Sequence, residues 1–321
     1  MRLEATYINE IARASGFDPA NLEKAIRLKE LLFEFHRHPF LSTRLVLKGG
    51  TAINLFYLDL ARLSVDIDLN YVGQIERGPM LDEKPRLVQA VNQVCRGLGY
   101  KVQVGTDEYA LLELYLGFAN HAGRSDQIEV EINFLMRTCA LPPEQRIAAR
   151  LADDQACTFS VLAIEELFAG KIKAMVDRRH PRDLYDIFRF ARLGAKPDSE
   201  FLRKLAVLFC STLDRDFREY DLGRCAAIDQ SDVQRLLYPV LRSDDRPTSD
   251  QMLAVVAPLL EPVLDHQREK GFLEAMAAGS YQPELLFPNN RDIVQRINRH
   301  PALLWKAENV AKYLSTRGDT E

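Results

Sequence analysis

Two aspartates, Asp66 and Asp68, alternate with apolar residues in the run Arg62-Leu-Ser-Val-Asp-Ile-Asp-Leu69. Side chains alternate across a strand, so a strand over Val65–Tyr71 puts both carboxylates on one face and Val65, Ile67 and Leu69 on the other. Carboxylate oxygens, together with substrate phosphates, are what a hard divalent cation binds. Ahead of them lies Leu45-Val-Leu-Lys-Gly-Gly-Thr-Ala-Ile-Asn54. Leu45 to Leu47 suit a short buried strand. Gly49 and Gly50 allow a tight turn with uncovered N–H groups. Thr51 then starts an apolar-periodic segment, with Ala52, Leu55 and Phe56, that predicts a helix. The first N–H groups of a helix have no partner within it and favour an anion. A phosphate-cradling turn close to paired carboxylates points to a nucleotide and a divalent metal. Lys48 and Arg62 are suited to clamping phosphate, and equally to standing as solvated charges. Ser64, two residues before Asp66, could touch phosphate or take a modification whose charge repels the aspartates and a triphosphate.

A second block runs from Glu165 to Phe188. Leu167, Ile172, Met175 and Val176 supply a helical core face. Lys171 and Lys173 are two apart, so they point different ways on a helix, and one of them could reach a triphosphate. Asp183 and Asp186 share a helix face at i and i+3. The segment from Lys171 to Arg192 is rich in lysine and arginine, which suits steering of an anionic acceptor. The stretch from Arg291 to Trp305, with Lys306 just after it, is a second basic candidate. Within it, Trp305 beside Pro301 and Leu303 reads as core rather than as a base-stacking platform. His180 has no second histidine at metal-ligand spacing. No G-x-x-x-x-G-K-[ST], G-x-G-x-x-G or G-x-S-x-G run occurs, so a P-loop, a dinucleotide fold and a serine-hydrolase elbow are unsupported.

Lys48-Gly-Gly-Thr51 followed by Arg62-x-Ser-x-Asp-x-Asp68 resembles the first motif of the DNA polymerase β-like nucleotidyltransferase superfamily. Within it, the wording is most similar to the AbiEii/AbiGii (MenT-like) toxins of type IV toxin–antitoxin and phage-defence systems. Lys171 and Arg182-Asp-Leu-Tyr-Asp186 match the family's later lysine and Arg-Asp-x-x-Asp pattern, and together the motifs cover roughly residues 40 to 190. The resemblance implies an α/β nucleotidyltransferase lobe with a mixed sheet, joined to a mainly helical lobe, with the active site in the cleft between them. It implies transfer of NMP from an NTP to an acceptor with release of pyrophosphate, with the tRNA 3′ end as the candidate acceptor and an antitoxin as partner. Asp66 and Asp68 become catalytic metal ligands for Mg2+ or Mn2+. The superfamily uses a third carboxylate, for which Glu131 is first choice and Glu129 next. Lys171 becomes the phosphate-neutralising cation and Asp186 a catalytic partner. Lys48, Gly49, Gly50, Thr51, Arg62 and Ser64 form the nucleotide-binding set. A catalytically idle nucleotide- or RNA-binding module, or transfer to a protein or small molecule, are the alternatives. The carboxylates and Lys171 weigh against an idle module.

The elements that must hold these residues can be followed along the chain. At 321 residues, 47% apolar and 27% charged, it has room for two globular domains. Its formal charge of −4 advertises no global field for nucleic acid. The five cysteines are scattered without C-x-x-C spacing, which suits reduced thiols in a cytoplasm. No leader of signal-peptide type and no membrane span is expected. Two helices are expected within residues 4–37, parted by Gly16-Phe-Asp-Pro19, with Asp18 as cap. A polar loop is expected over Gly73–Pro85, and a helix over Leu87–Leu98. Strands at Lys101–Val104 and Ala110–Phe118 flank a turn at Gly105–Glu108. Ile128-Glu-Val-Glu-Ile-Asn-Phe134 alternates strictly, so Glu129, Glu131 and Asn133 share the polar face of a strand. Ser160 is expected to cap the next helix, after which the chain reads as helical. Pro258 and Pro262 interrupt its most apolar late stretch. The domain assignment is 1–160 for the nucleotidyltransferase lobe with its N-terminal helices and 161–321 for the helical lobe.

Overall fold

The computed structural model describes residues 3–151, 155–193 and 199–318. The chain divides into two compact units. The first comprises Met1–Arg137, Pro143–Ala163 and Ser231–Pro247, and the second Thr138–Pro142, Ile164–Gln230 and Thr248–Glu321.

The first unit is a seven-stranded mixed sheet with helices. Its elements are α1 (Ala5–Ser15), α2 (Pro19–Arg37), β1 (Leu45–Lys48), α3 (Gly49–Phe56), β2 (Asp66–Tyr71), α4 (Arg77–Gly97), β3 (Lys101–Asp107), β4 (Leu111–Ala119), β5 (Ser125–Asn133), β6 (Glu144–Ile147) and β7 (Thr158–Val161). The strand order is β3-β4-β5-β2-β1-β7-β6. The β2–β5 and β1–β7 pairs are parallel, and the others antiparallel. One face carries Ile67, Leu69, Leu112, Leu114, Leu116, Ile128, Val130 and Ile132, all fully buried. Each such side chain contributes on the order of 1.5–3 kcal/mol by leaving water. Helix α2 packs on β5 and β7, and α4 on β3. The open face carries the alternate, polar positions. Helix α2 starts as its sequence dictates: the Asp18 side chain accepts the Asn21 N–H, and Pro19 takes the first turn.

Several elements depart from sequence expectation. Helix α3 starts at Gly49, two residues before Thr51. Helix α4 starts at Arg77, inside the expected loop, and continues through Pro85. Burial of Met80, Lys84, Leu87 and Val91 along one side outweighs the hydrogen bond that proline removes. Strand β3 runs on through the expected turn at Gly105, by a register shift between Val104 and Thr106. Strands β6 and β7 were not expected. Ser160 lies inside β7, paired with Gln145, and the next helix begins at Ile164.

The second unit is helical among its described residues: α5 (Ile164–Arg178), α6 (Pro181–Ala191), α7 (Ser199–Cys210), α8 (Leu222–Ala226), the first residue of α9 (Gln230–Asp232, which crosses back into the first unit at Ser231), α10 (Ser249–Leu264), α11 (Lys270–Ala277), α12 (Arg291–Ile297) and α13 (Pro301–Gly318). Helix α5 packs on α6 and α7, and α10 on α6, α7 and α8. Pro258 and Pro262 lie within α10 rather than ending it, because Met252, Val256, Leu260 and Val263 bury one continuous side. Trp305 is 48% exposed, contrary to expectation. Helix α13 buries Ala302, Leu303 and Ala307, which turns residue 305 outward. No helix among the described residues is long and apolar enough to cross a membrane.

Candidate functional site

The open face of the sheet carries two transverse rows of side chains, set by strand register. In one, Lys48 pairs with Asp68, Asp68 with Glu131, and Glu131 with Glu113. In the other, Asp66 pairs with Glu129, Glu129 with Tyr115, and Tyr115 with Gln103. Asp66, Asp68, Glu129 and Glu131 therefore stand as a block of four carboxylates on two adjacent parallel strands. The Lys48 ammonium lies 3.0 Å from Glu131 and 3.9 Å from Asp68. Burial, and then the carboxylates of Glu113, Asp66, Asp68 and Glu131, push the Glu129 carboxyl above its ordinary range. Such a block favours a cation that relieves its mutual repulsion.

The turn before α3 fits against this block. Gly49 has φ +73°, and a Cβ there would lie 2.0 Å from Asp68 Oδ2. A Cβ on Gly50 would lie 2.5 Å from an Arg62 guanidinium nitrogen and 3.2 Å from Ser64 Oγ. Both glycines are thus required by neighbours that belong to the same motif. Ser64 Oγ donates to Asp66 Oδ1 at 3.0 Å, which orients that carboxylate from outside the strand. The Thr51 hydroxyl donates to the Asp66 carbonyl at 2.5 Å and is fully buried. Its side chain fixes β2 against α3. Arg62 is buried and donates to the Leu63 carbonyl at 2.9 Å. The loop that carries it contains Asp59 and Leu60 at positive φ, each costing about 1–3 kcal/mol. Asn54 offsets part of that cost: its carbonyl oxygen accepts the Arg62 N–H and its amide donates to Gly50 O.

In the second unit, Lys171 Nζ lies 2.7 Å from Asp183 Oδ1 and 3.1 Å from Asp186 Oδ2. Arg178 also binds Asp183, at 2.8 and 3.1 Å. Both aspartates are fully buried and Lys171 nearly so. Burial alone would raise the Asp183 carboxyl, but the Lys171 charge and Arg178 hold it well below its ordinary range. The His180 ring caps α6 by accepting the Arg182 N–H, a local structural use.

The structure thus gathers Lys48, Gly49, Gly50, Thr51, Arg62, Ser64, Asp66, Asp68 and Glu131 in the first unit. It gathers Lys171 and Asp186 in the second. Sequence reasoning missed Glu113, Tyr115 and Asn54. The alternation Glu113-Leu-Tyr-Leu116 shows Glu113 and Tyr115 on one strand face, but not which strand pairs with theirs. Among the described residues, no three acidic, histidine or cysteine side chains close into a coordination cage. Magnesium does not demand one, since it commonly binds through one or two carboxylates plus substrate phosphates. The paired carboxylates of β2, with Glu129 and Glu131 beside them, fit that donor set.

A mixed sheet with paired carboxylates beside a glycine turn has the parts that nucleotidyl transfer requires. Residues 30–268 match the family model described as nucleotidyl transferase AbiEii toxin, type IV TA system. The chain belongs to this family of toxin nucleotidyltransferases. In fold it is similar to MenT4, the nucleotidyltransferase toxin Rv2826c from Mycobacterium tuberculosis H37Rv, with a TM-score of 0.57 and 19% identity over 97% of this chain and 99% of that one. A structure from H. pylori, assigned as a nucleotidyltransferase by inference, overlaps with a TM-score of 0.46 and 17% identity, over 77% of this chain and 98% of that one. No curated protein matches in sequence.

Proposed function

We infer that the enzyme transfers the NMP moiety of an NTP to the 3′ end of an RNA, with tRNA the foremost candidate, and that an antitoxin restrains it. One observation carries this reading: the in-register block of Asp66, Asp68, Glu129 and Glu131 beside a turn whose glycines make room for Asp68 and Arg62. Asp66, Asp68 and one of the two glutamates, Glu131 first, would hold Mg2+ or Mn2+. A bound divalent ion there would neutralise phosphate charge and ease departure of pyrophosphate.

The chain's own groups do the positioning. The N–H groups at Gly49–Thr51 and the Lys48 ammonium take the triphosphate. Ser64 keeps Asp66 oriented. Arg62 braces Gly50 from the buried side. In the second unit, Asp186 and Asp183 fix the Lys171 ammonium. The strand order puts β1 and β5 on opposite sides of β2. The turn after β1 therefore takes the leaving side, and the acceptor hydroxyl approaches from the β5 side. An in-line displacement needs this opposition.

The test is incubation of the protein with each α-labelled NTP, magnesium or manganese, and total RNA. Label in small RNA that appears only with divalent metal supports the reading. Label in protein or small molecules instead would replace the acceptor, and no label in any fraction would refute transfer.

A further inference from the structure

Beyond Tyr115, the open face dips into a trough of about 420 Å³ lined by Gly117, Tyr115, Lys101, Gln103, Gln127 and Asp126, among others. Its floor is Gly117, the only glycine of β4. Glycine inside a strand weakens it, and it commonly marks a bulge or a close approach by backbone or ligand. Here the pairing is unbroken on both sides, with Lys101 opposite Gly117 and Gly117 opposite Gln127. A Cβ at this position would meet only ordinary contacts, 3.6 Å from Lys101 O and 3.7 Å from its Cβ. Gly117 does not have a positive φ. Neither backbone conformation nor a crossing chain calls for glycine, which leaves the open space above it.

The walls of that space are set. The Tyr115 hydroxyl donates to Glu113 at 2.8 Å, and Thr106 holds the same carboxylate at 3.0 Å. A Cβ on Gly105, at the register shift of β3, would lie 2.5 Å from a Tyr115 ring carbon. That glycine gives the ring its place. Asp126 is occupied by Lys24 at 2.7 Å, so the trough offers an aromatic wall, the amides of Gln103 and Gln127, and an exposed Lys101.

We propose that this trough holds an unpaired nucleobase of the acceptor strand, stacked near Tyr115, with Gln103 and Gln127 facing its edge and Lys101 its backbone phosphate. The inference rests on the nucleotidyl-transfer reading above, and it names where the acceptor lies. Aromatic side chains stack on any base, and side-chain amides supply both donors and acceptors. The volume is within the range of small-molecule sites, roughly 300–1,000 Å³. Position selects the acceptor over the incoming nucleotide. Gly117 lies on β4, two strands from Asp66, or about 10 Å at the usual strand spacing of about 4.8 Å. It is also two residues along from Tyr115, about 6.5 Å more. It lies on the β5 side of the carboxylates, away from the turn after β1.

The experiment uses the full chain and fluorescein-labelled, mixed-sequence RNA tetranucleotides, read by anisotropy, beside NTP binding and a thermal melt. Gly117→Leu fills the trough without backbone strain. It is expected to weaken tetranucleotide binding at least ten-fold, the order a lost stacking contact carries, with NTP binding and the melt unchanged. Tyr115→Ala should act likewise, and Tyr115→Phe should bind as the wild type does. If Gly117→Leu folds poorly, the exposed pair Gln103→Ala/Gln127→Ala carries the same expectation. Unchanged tetranucleotide affinity in the filled variant, no binding by the wild type, or a loss that falls on NTP would each overturn the proposal. Failure of label transfer would sink the catalytic reading and leave this binding measurement to stand by itself.

Discussion

Asp66 and Asp68 gain their meaning from residues that sequence proximity does not reveal. Their partners Glu129 and Glu131 are each 63 residues away in the chain and one strand away in space. Asp66→Ala and Asp68→Ala are each expected to lower transfer at least a thousand-fold with little change in melting temperature, because removing one of several crowded carboxylates relieves repulsion. Near-normal turnover in either variant, with metal present, refutes the assignment. Gly49→Ala is a sterner test of the local design. It places a Cβ on a residue at φ +73° and drives it into Asp68 Oδ2. A stability loss of about 1–3 kcal/mol and severe loss of transfer are expected. Gly97→Ala, whose Cβ would meet nothing within 4 Å, should melt at or above the wild-type temperature. The pair of melts and transfer rates decides it. The aspartates, glycines and Ser64 were legible because alternation and turn chemistry are local. The buried use of Thr51 and Arg62 was not, since it depends on how α3 and its following loop close on β2.

Among the elements, α5 and α6 are joined by a buried ion cluster. Lys171→Ala would remove the ammonium that Asp183 and Asp186 share in the interior, and breaking a buried pair from one side typically costs about 3–5 kcal/mol. Lys173 is only half-buried, and Lys173→Ala should cost well under that. Kinetics with varied NTP, measured below both melting temperatures, should show the larger fall in kcat/KM for Lys171→Ala. A larger fall for Lys173→Ala would mean that the wrong lysine has been assigned to phosphate. Helix α5 also carries Glu166, fully buried, which accepts the N–H groups of Ala140 and Leu141 at 3.1 and 2.9 Å. Burial pushes its carboxyl up to about 7, against the lowering effect of those two bonds. The native state therefore holds this proton where the unfolded chain has released it. Stability from this group is fully present below the unfolded value of about 4.5 and is lost as pH rises to about 7. The total change is roughly 3 kcal/mol. Melts of the wild type and Glu166→Gln across that window should diverge, with the wild type losing ground as pH increases. Parallel curves would show that Glu166 is ionised throughout. Long periodic helices such as α2 and the alternating β5 were readable from sequence. Strands β6 and β7 are four residues each and lack a periodic signature, and Pro85 masked the first turns of α4. In each case tertiary burial decided what propensity could not.

At the scale of the whole molecule, the chain does not simply finish one unit before starting the other. It leaves the first unit at Thr138, returns at Pro143, leaves again at Ile164, and returns for Ser231–Pro247. No composition shift marks that last return, which is why the sequence suggested one helical run after residue 160. The returning segment is tied into the first unit by backbone. Leu63 N–H donates to Val240 O at 2.8 Å, Ser243 N–H to Gly16 O at 2.9 Å, and the Asn21 side chain to Pro239 O at 2.8 Å. Val233, Leu237, Val240 and Leu241 are fully or almost fully buried. At roughly 1.5–3 kcal/mol for each such side chain, their removal would approach the whole stability of a typical domain, about 5–15 kcal/mol. The bond from Leu63 also lies one residue from Ser64 and beside Arg62, so the segment supports the loop that braces Gly50. A fragment ending at Ala163 is therefore expected to melt at far lower temperature than the full chain, or to fail to fold cooperatively. A synthetic peptide spanning 231–247, added in trans, should raise its melting temperature in a concentration-dependent way, as mass action on the native state requires. A scrambled peptide should do nothing. A fragment that melts as sharply as the full chain without the peptide would show that the sheet and its carboxylate block are self-sufficient, and that the returning segment is only a passenger on them.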